Sequence, residues 1–438
     1  MIKDFSRRSI IKGAASAAVG ASVLGAPSKT FAAPARLQST GSNAEITLWT
    51  AFGSGVNGEA QAKLVEDFNA QGNGVTVTAQ VYESYEAVAQ ALITGLQTGD
   101  VPDVATLSDV WWFRFYLSQA LADLTEMAQE PDDYVETLYA DYQRNGGQFG
   151  VPFARSTPLL YFNRDVLEAA GLDESIFETW SSTVEAAPDL LAAGDNMTAA
   201  FGFGNAASYG AWFLHGPVWA FDGRYSDEEF NILIDQEGAV NCGEFMREFV
   251  QSGNAAAVTD PSTDFQTGGI AATIQSTGAL GGITEAAQFD VGTHFLPEEI
   301  EFGCPTGGTG LSVMAGASDE NKQAAMDFIS FSTNTENATY WAMTTGYMPV
   351  RNSAIESEEF QTFITENPNN RVAIEQLPLT RPQDTARVFI PNGDQILGQG
   401  WEQVLVNNVP AAEAFAEVAQ ILNEEKEPVL EALQELEG

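Results

Sequence analysis

Apolar residues recur with two different periods between Glu45 and Asp109. "EITLWTAF" sets Ile46 and Leu48 against polar neighbours, the two-residue alternation of a strand. "GVTVTAQVY" repeats it, with Val75, Val77, Ala79 and Val81 on one face. After each strand the spacing lengthens to that of a helix. Ala60, Leu64 and Phe68 run up to Gly72, and Val88, Leu92 and Leu96 run up to Gly99. "DVATLSD" then reads as a third short strand. Strand, helix, strand, helix, strand with short links predicts a parallel α/β sheet. Ligands bind beyond the carboxyl ends of such strands. Here those ends carry Trp49 and Thr50, Tyr82 to Tyr85, and Ser108 with Asp109.

A second α/β stretch begins with "VPFARSTPLLYFNRDVLEAAGL", Val151 to Leu172. "LLYF" reads as a buried strand, and "NRDVLEAAGL" as a helix with Asn163 as N-cap and Gly171 past its end. Ser156, Thr157 and Pro158 form either a plain turn or a polar loop that offers hydroxyls to a bound molecule. Residues 185–260 read as mostly helical, with "EFMREFVQSG" amphipathic and closing at Gly253. "DFQTGGIAATIQSTGAL" and "GTGLSVMAG" supply further Gly-punctuated strands, and "ENKQAAMDFISFS" a helix. Ala411 to Leu436 reads as an acidic amphipathic helix pair broken near Pro428. No internal repeat is visible. The length of 438 residues suits two or three domains.

Charge narrows the partners. The net charge is −41, with no cluster of Lys and Arg, which excludes a sequence-independent grip on nucleic acid. Only three Lys follow residue 33 and acids are spread throughout. That distribution reads as a solvated surface suited to a saline medium rather than as a site for a cationic ligand. At the N-terminus, "SRRSIIKGAASAAVGASVLGAPSKTFAAPA" pairs Arg7 with Arg8 ahead of a weakly apolar run and an Ala-rich cleavage region. This is similar to a twin-arginine export signal over residues 1–33, followed by a linker at 34–43. Its removal takes five of 19 cations and one of 60 acids, leaving a charge of −45. No later stretch reads as transmembrane, so a soluble periplasmic product is expected. Cys242 and Cys304 are expected as two separately buried thiols.

Catalytic signatures are missing. There are two His, His215 and His294, and no H-E-x-x-H, G-x-S-x-G or Walker loop. "GFGNAA" at Gly202 matches a dinucleotide fingerprint superficially, without a convincing strand before it. No metal or cofactor is called for. A binding protein is favoured over an enzyme.

The segment "GVPFARSTPLLYFNRDVLEAAGL", with Thr179–Trp180 after it, resembles extracellular solute-binding proteins of sugar-class ABC importers. "TGDVPDV" (98–104), "DFQTGGIAATI" (264–274) and "TTGYMPVRNSA" (344–354) fall in the family's order. The resemblance implies two α/β lobes, each a mainly parallel sheet flanked by helices, closing on a ligand. Lobe 1 is expected at 44–152 and 277–331, lobe 2 at 153–276 and 332–438, with hinge strands near Gly150–Phe153 and Gln275–Gly278. It also implies a monomer that serves permease subunits and their ATPase.

Within the family the residues are most similar to the branch that captures glycerol 3-phosphate. Tyr85, Asp109, Ser156, Trp180, Ser276, Gly308, Tyr347 and Arg387 match its ligand-contacting positions. Asp109 replaces a Glu of that branch, and Arg155 replaces a small polar residue. The chemistry is consistent. A phosphate ester asks for a guanidinium fork, hydroxyls and close backbone, which Arg387, Ser156, Ser276, Tyr347 and Gly308 offer. Asp109 and Tyr85 suit glycerol hydroxyls, and Trp180 suits the carbon chain. Structural roles compete at each position: Trp180 packing under its helix, Asp109 capping a helix at Val110, Ser276 capping a turn. The alternatives are a binder of neutral oligosaccharide or polyol and, from another class, a secreted carbohydrate- or phosphate-ester hydrolase.

Overall fold

The computed structural model describes residues 44–438; the expected signal segment and linker lie outside the described residues. In chain order the strands are β1 (Ala44–Thr50), β2 (Val75–Val81), β3 (Val104–Ser108), a hairpin of β4 (Gln143–Arg144) and β5 (Gly147–Gln148), and β6 (Val151–Ser156). Then follow β7 (Pro158–Asn163), β8 (Ala199–Gly204), β9 (Ala255–Val258), β10 (Ile270–Ser276), β11 (Val291–His294) and β12 (Gly307–Val313). They build two five-stranded sheets, ordered β2-β1-β3-β12-β6 and β11-β7-β10-β8-β9. The α/β class expected from the periodicity is present in both.

The two sheets share one plan. In the first, β1 pairs in parallel with β2 and β3, while β12 pairs antiparallel with β3 and β6. In the second, β8 pairs in parallel with β9 and β10, while β7 pairs antiparallel with β10 and β11. Four strands of each sheet therefore run one way, and one strand is reversed. The reversed strands are those that arrive from the other lobe. The chain leaves the first sheet at Ser156, passes Thr157 and enters β7 at Pro158; it returns through 295–306 into β12.

These crossings move the expected boundaries. Residues 153–156 belong to the first sheet, because β6 bonds along β12. Residues 291–294 belong to the second, because β11 bonds along β7. The helix Thr335–Thr345, expected in lobe 2, packs on the helix Gly55–Ala70 behind the first sheet. Gly150–Phe153 is thus not where the lobes join. The end of β10 does abut the crossing, where Thr277 N–H donates to Thr157 C=O at 3.0 Å.

Local code accounts for most of the elements. Ser84 caps the helix Tyr85–Thr98 by accepting from Ala87 N–H at 3.2 Å, and Gly99 (φ 83°) closes it. Asn163 caps the helix Arg164–Ala169, accepting from Val166 N–H at 3.2 Å. Strands β6 and β7 are buried at every residue, as expected of strands covered on both faces. The region 185–260 is less helical than expected, since it contains β8 and β9. "GFGNAA" therefore does follow a strand, but Gly202 and Gly204 lie inside it and only a short turn and a four-residue helix follow. Cys242 and Cys304 are unpaired and buried. No helix among the described residues is long and apolar enough to cross a membrane.

Candidate functional site

The carboxyl ends of β3 and β10, the crossing at Thr157 and the amino end of β12 converge, and most of the expected residues sit on them. Asp109 follows β3, and its N–H donates to Gly308 C=O at 3.2 Å. Gly308 lies opposite Arg155 and Gly307 opposite Ser156 in the β12–β6 register. Met348 N–H donates to Arg155 C=O at 2.9 Å, which holds Tyr347 beside the crossing. The Tyr347 ring then covers Gly278, where a Cβ would come within 2.4 Å of Cζ. Gly278 is also where Ser276, at the end of β10, accepts a backbone N–H at 3.1 Å. Tyr85, at the first turn of its helix, meets Tyr347 with the two hydroxyls 3.1 Å apart.

The charged side of the cluster comes from the far end of the chain. Arg387 lies on the short helix Thr385–Val388 and is 4% exposed. Its Nε donates to Asp394 at 2.7 Å, its Nη1 donates to Gln383 Oε1, and Nη1 stands 3.9 Å from Asp109. Gln383 Nε2 donates in turn to Asp109. One amide therefore links the carboxylate of the first lobe to the guanidinium held by the second. Arg387 Nη2 keeps its donors uncommitted. Burial, with Tyr347 and Asp109 nearby, pushes the Tyr85 phenol well above its ordinary range, and burial raises Tyr347 too. Both are neutral hydroxyls at physiological pH, able to donate and accept.

A buried anchor sets the Arg387 segment. Asp384 is closed off from solvent and accepts from Arg224 Nε at 2.8 Å and Tyr225 N–H at 2.7 Å, with His215 Nε2 at 3.1 Å. Burial alone would raise the Asp384 carboxyl, but His215 and Arg224 outweigh it and hold it at about 2. Burial lowers His215.

Seven of the eight expected residues thus come together: Tyr85, Asp109, Ser156, Ser276, Gly308, Tyr347 and Arg387. Trp180 does not. It is 0% exposed at the start of the helix Trp180–Ala193 and packs on Phe201 and Phe203, with centroids 5.6 and 6.1 Å away. A large ring filling the space between helix and sheet is the reason, so the structural alternative for Trp180 is the one realised. Arg155, which stands where the resembled branch has a small polar residue, lies close to the same cluster. It is fully buried, pairs with Asp141 and stacks on Tyr142, and its charge also acts on Asp109 and Tyr347 of the cluster. Asp109 caps no helix, since the next helix starts at Trp112 with Trp111 at its N-cap.

A model of the bacterial extracellular solute-binding protein family matches residues 63–371. The chain belongs to this family. Among curated relatives, the sn-glycerol-3-phosphate-binding periplasmic proteins UgpB of Escherichia coli strain K12 and Salmonella typhimurium strain LT2 are 28% and 29% identical. Each match covers 77% of this chain and 81% of the relative. Among solved structures, UgpB from Mycobacterium tuberculosis in complex with glycerophosphocholine is 36% identical. It superposes with a TM-score of 0.84 over 88% of this chain and 99% of that one. The cyclic α-maltosyl-1,6-maltose binding protein of Arthrobacter globiformis, at 20% identity and a TM-score of 0.74 over 87% and 98%, shares the two-lobed fold.

Two residues of this candidate site were not read from the sequence. Gln383 stands four residues before Arg387, a spacing that places both on one face of a turn. Trp212 donates its Nε1 to Thr306 C=O at 3.0 Å and covers Gly307, where a Cβ would lie 2.3 Å from its ring. Its only signal was an aromatic run, "AWF", beyond a strand that the sequence did not reveal.

Proposed function

We propose that this chain is the ligand-capturing component of an ABC importer, exported by a twin-arginine signal and specific for glycerol 3-phosphate or a glycerophosphodiester. Its sequence likeness to proteins named for the first ligand, and to a structure holding an example of the second, supports this. The observation that carries it is Arg387: a buried guanidinium with an uncommitted Nη2, joined through Gln383 and Asp109 to the cluster that holds Ser156, Ser276 and Tyr347. A phosphate there replaces the Gln383 amide as acceptor for the fork, and the backbone N–H of Gly308 adds to its shell. Asp109 and Tyr85 then take the glycerol hydroxyls. No bond is made or broken; ligand shifts the balance between open and closed lobes, which permease subunits sense.

Calorimetry of the mature protein against glycerol 3-phosphate, glycerophosphocholine, glycerol and maltose tests the reading. Binding of the two phosphates, with glycerol and maltose silent, is the expected pattern. Maltose binding with both phosphates silent would assign the site to neutral sugars instead. Turnover of either ester would put the chain among the hydrolases.

A further inference from the structure

In a chain so rich in acids, a cation without a partner is unusual. Among the described residues, Arg144, Arg155, Arg164, Arg224, Arg247, Arg351, Arg381 and Arg387 each pair with a carboxylate, as do Lys63 and Lys322. Arg371 and Lys426 donate to backbone carbonyls. Arg114 has neither. Its guanidinium lies 5.9 Å from the Trp111 ring and makes no ion pair or hydrogen bond. Burial lowers its pKa with no opposing carboxylate, as a desolvated and uncompensated charge requires.

Arg114 lines a groove between the helix Trp112–Leu117 of the first lobe and the segment that follows Arg387 in the second. Arg387 stands on the same groove, so the groove continues from the site described above. Val388, Ile390 and Pro391 give it an apolar wall, which strengthens any charge interaction within it. Two carboxylates also line it. Asp394 is engaged by Arg387, whereas Glu86 has no ion pair or hydrogen bond. The groove therefore presents one unmet cation and one unmet anion next to the phosphate position.

We infer that this groove is a head-group subsite for a diester whose head group carries both an ammonium and a carboxylate, with Arg114 receiving the carboxylate and Glu86 the ammonium. The inference rests on the phosphate reading of Arg387. An ammonium alone leaves Arg114 desolvated and unpaired, and an anion alone faces Glu86. An amino-acid alcohol esterified to glycerol phosphate satisfies both.

The test is calorimetry of the mature protein with glycerol 3-phosphate, glycerophosphoethanolamine and glycerophosphoserine. Wild type should bind the serine diester roughly tenfold more tightly than the ethanolamine diester, the range of one charge-assisted pair at a part-exposed site. Arg114→Gln should erase that advantage and leave glycerol 3-phosphate within about twofold, a margin well under one such pair. Arg114→Lys, the milder change, should keep part of it. Glu86→Gln should weaken both diesters and spare glycerol 3-phosphate. Equal affinity of wild type for the two diesters, or a uniform loss across all three ligands in Arg114→Gln, overturns the subsite while the phosphate reading stands. Wild type that binds none of the three overturns both.

Discussion

The Arg387 guanidinium and the Asp109 carboxylate sit 3.9 Å apart, yet substituting them should have unequal effects. On the proposed reading Arg387→Gln removes a charge-assisted pair to phosphate, about 1.5–3 kcal/mol or roughly a 10- to 150-fold weaker affinity for glycerol 3-phosphate. Asp109→Asn weakens a bond to a glycerol hydroxyl but also removes a negative charge near the phosphate, so a smaller loss is expected. Calorimetry of both variants decides it, and a neutral sugar ligand reverses the order. Asp384 offers a pH test. Its carboxyl is held at about 2, below the ordinary 3.8, so the folded state binds its proton less readily than the unfolded state. Its contribution is complete above pH ~4, vanishes as pH falls through ~2, and is on the order of 2 kcal/mol. Asp384→Asn should be less stable than wild type at pH 6 in urea titrations, and the difference should shrink toward pH 2. A constant difference across that range would show that the charge is not what matters. Arg155→Met strands Asp141, whose carboxyl burial already pushes up, and should cost about 3–5 kcal/mol by the same titration.

At the scale of elements, Gly308 gives the sharpest expectation. Its φ is +104°, and a Cβ there would lie 2.2 Å from Ala154 C=O, next to the register shift in the β12–β6 pairing. Gly308→Ala should therefore destabilise on the order of 1–3 kcal/mol and weaken ligand binding, read by thermal unfolding and calorimetry. Wild-type affinity in that variant would remove Gly308 from the site. What the sequence made legible follows the same physics. Strands β1 to β3 and their helices have strong periods closed by Gly99, and Asn163 marks the helix after β7, so these were legible. Strand β8 is "AAFGFG", without β-branched residues, and gains its strand character from neighbours distant in the chain. The reversal of β7 and β12 is a matter of tertiary pairing, which no local pattern encodes. Most residues of the candidate cluster were reached through likeness of short motifs. Trp180 shows the limit, because a motif places a residue in the chain and packing decides which way its ring faces. Gln383 escaped because an amide carries no distinctive signal until its two charged partners are seen around it.

The whole molecule carries 60 acids against 19 cations, and its self-repulsion is long-ranged and screenable. Raising KCl from 0.1 to 1 M shortens the Debye length from about 10 to about 3 Å. The melting temperature of the mature protein should rise by several degrees across that range; no rise, or a fall, would contradict the reading of the acidic surface as suited to a saline medium. Ligand should also compact the particle, and identical small-angle scattering profiles with and without saturating glycerol 3-phosphate would argue against lobe closure. The reversed strands have a temporal consequence. Strand β6 reaches the rest of its sheet only through β12, which is made about 150 residues later, after the second sheet has received all its strands. A nascent chain therefore cannot finish its first lobe before its second. Commitment to the native state waits on a late, non-local step, which makes refolding slow for the chain's length. It also ties the lobes into a single cooperative unit, so a chain ending at residue 300 should be digested by protease as rapidly as an unfolded one.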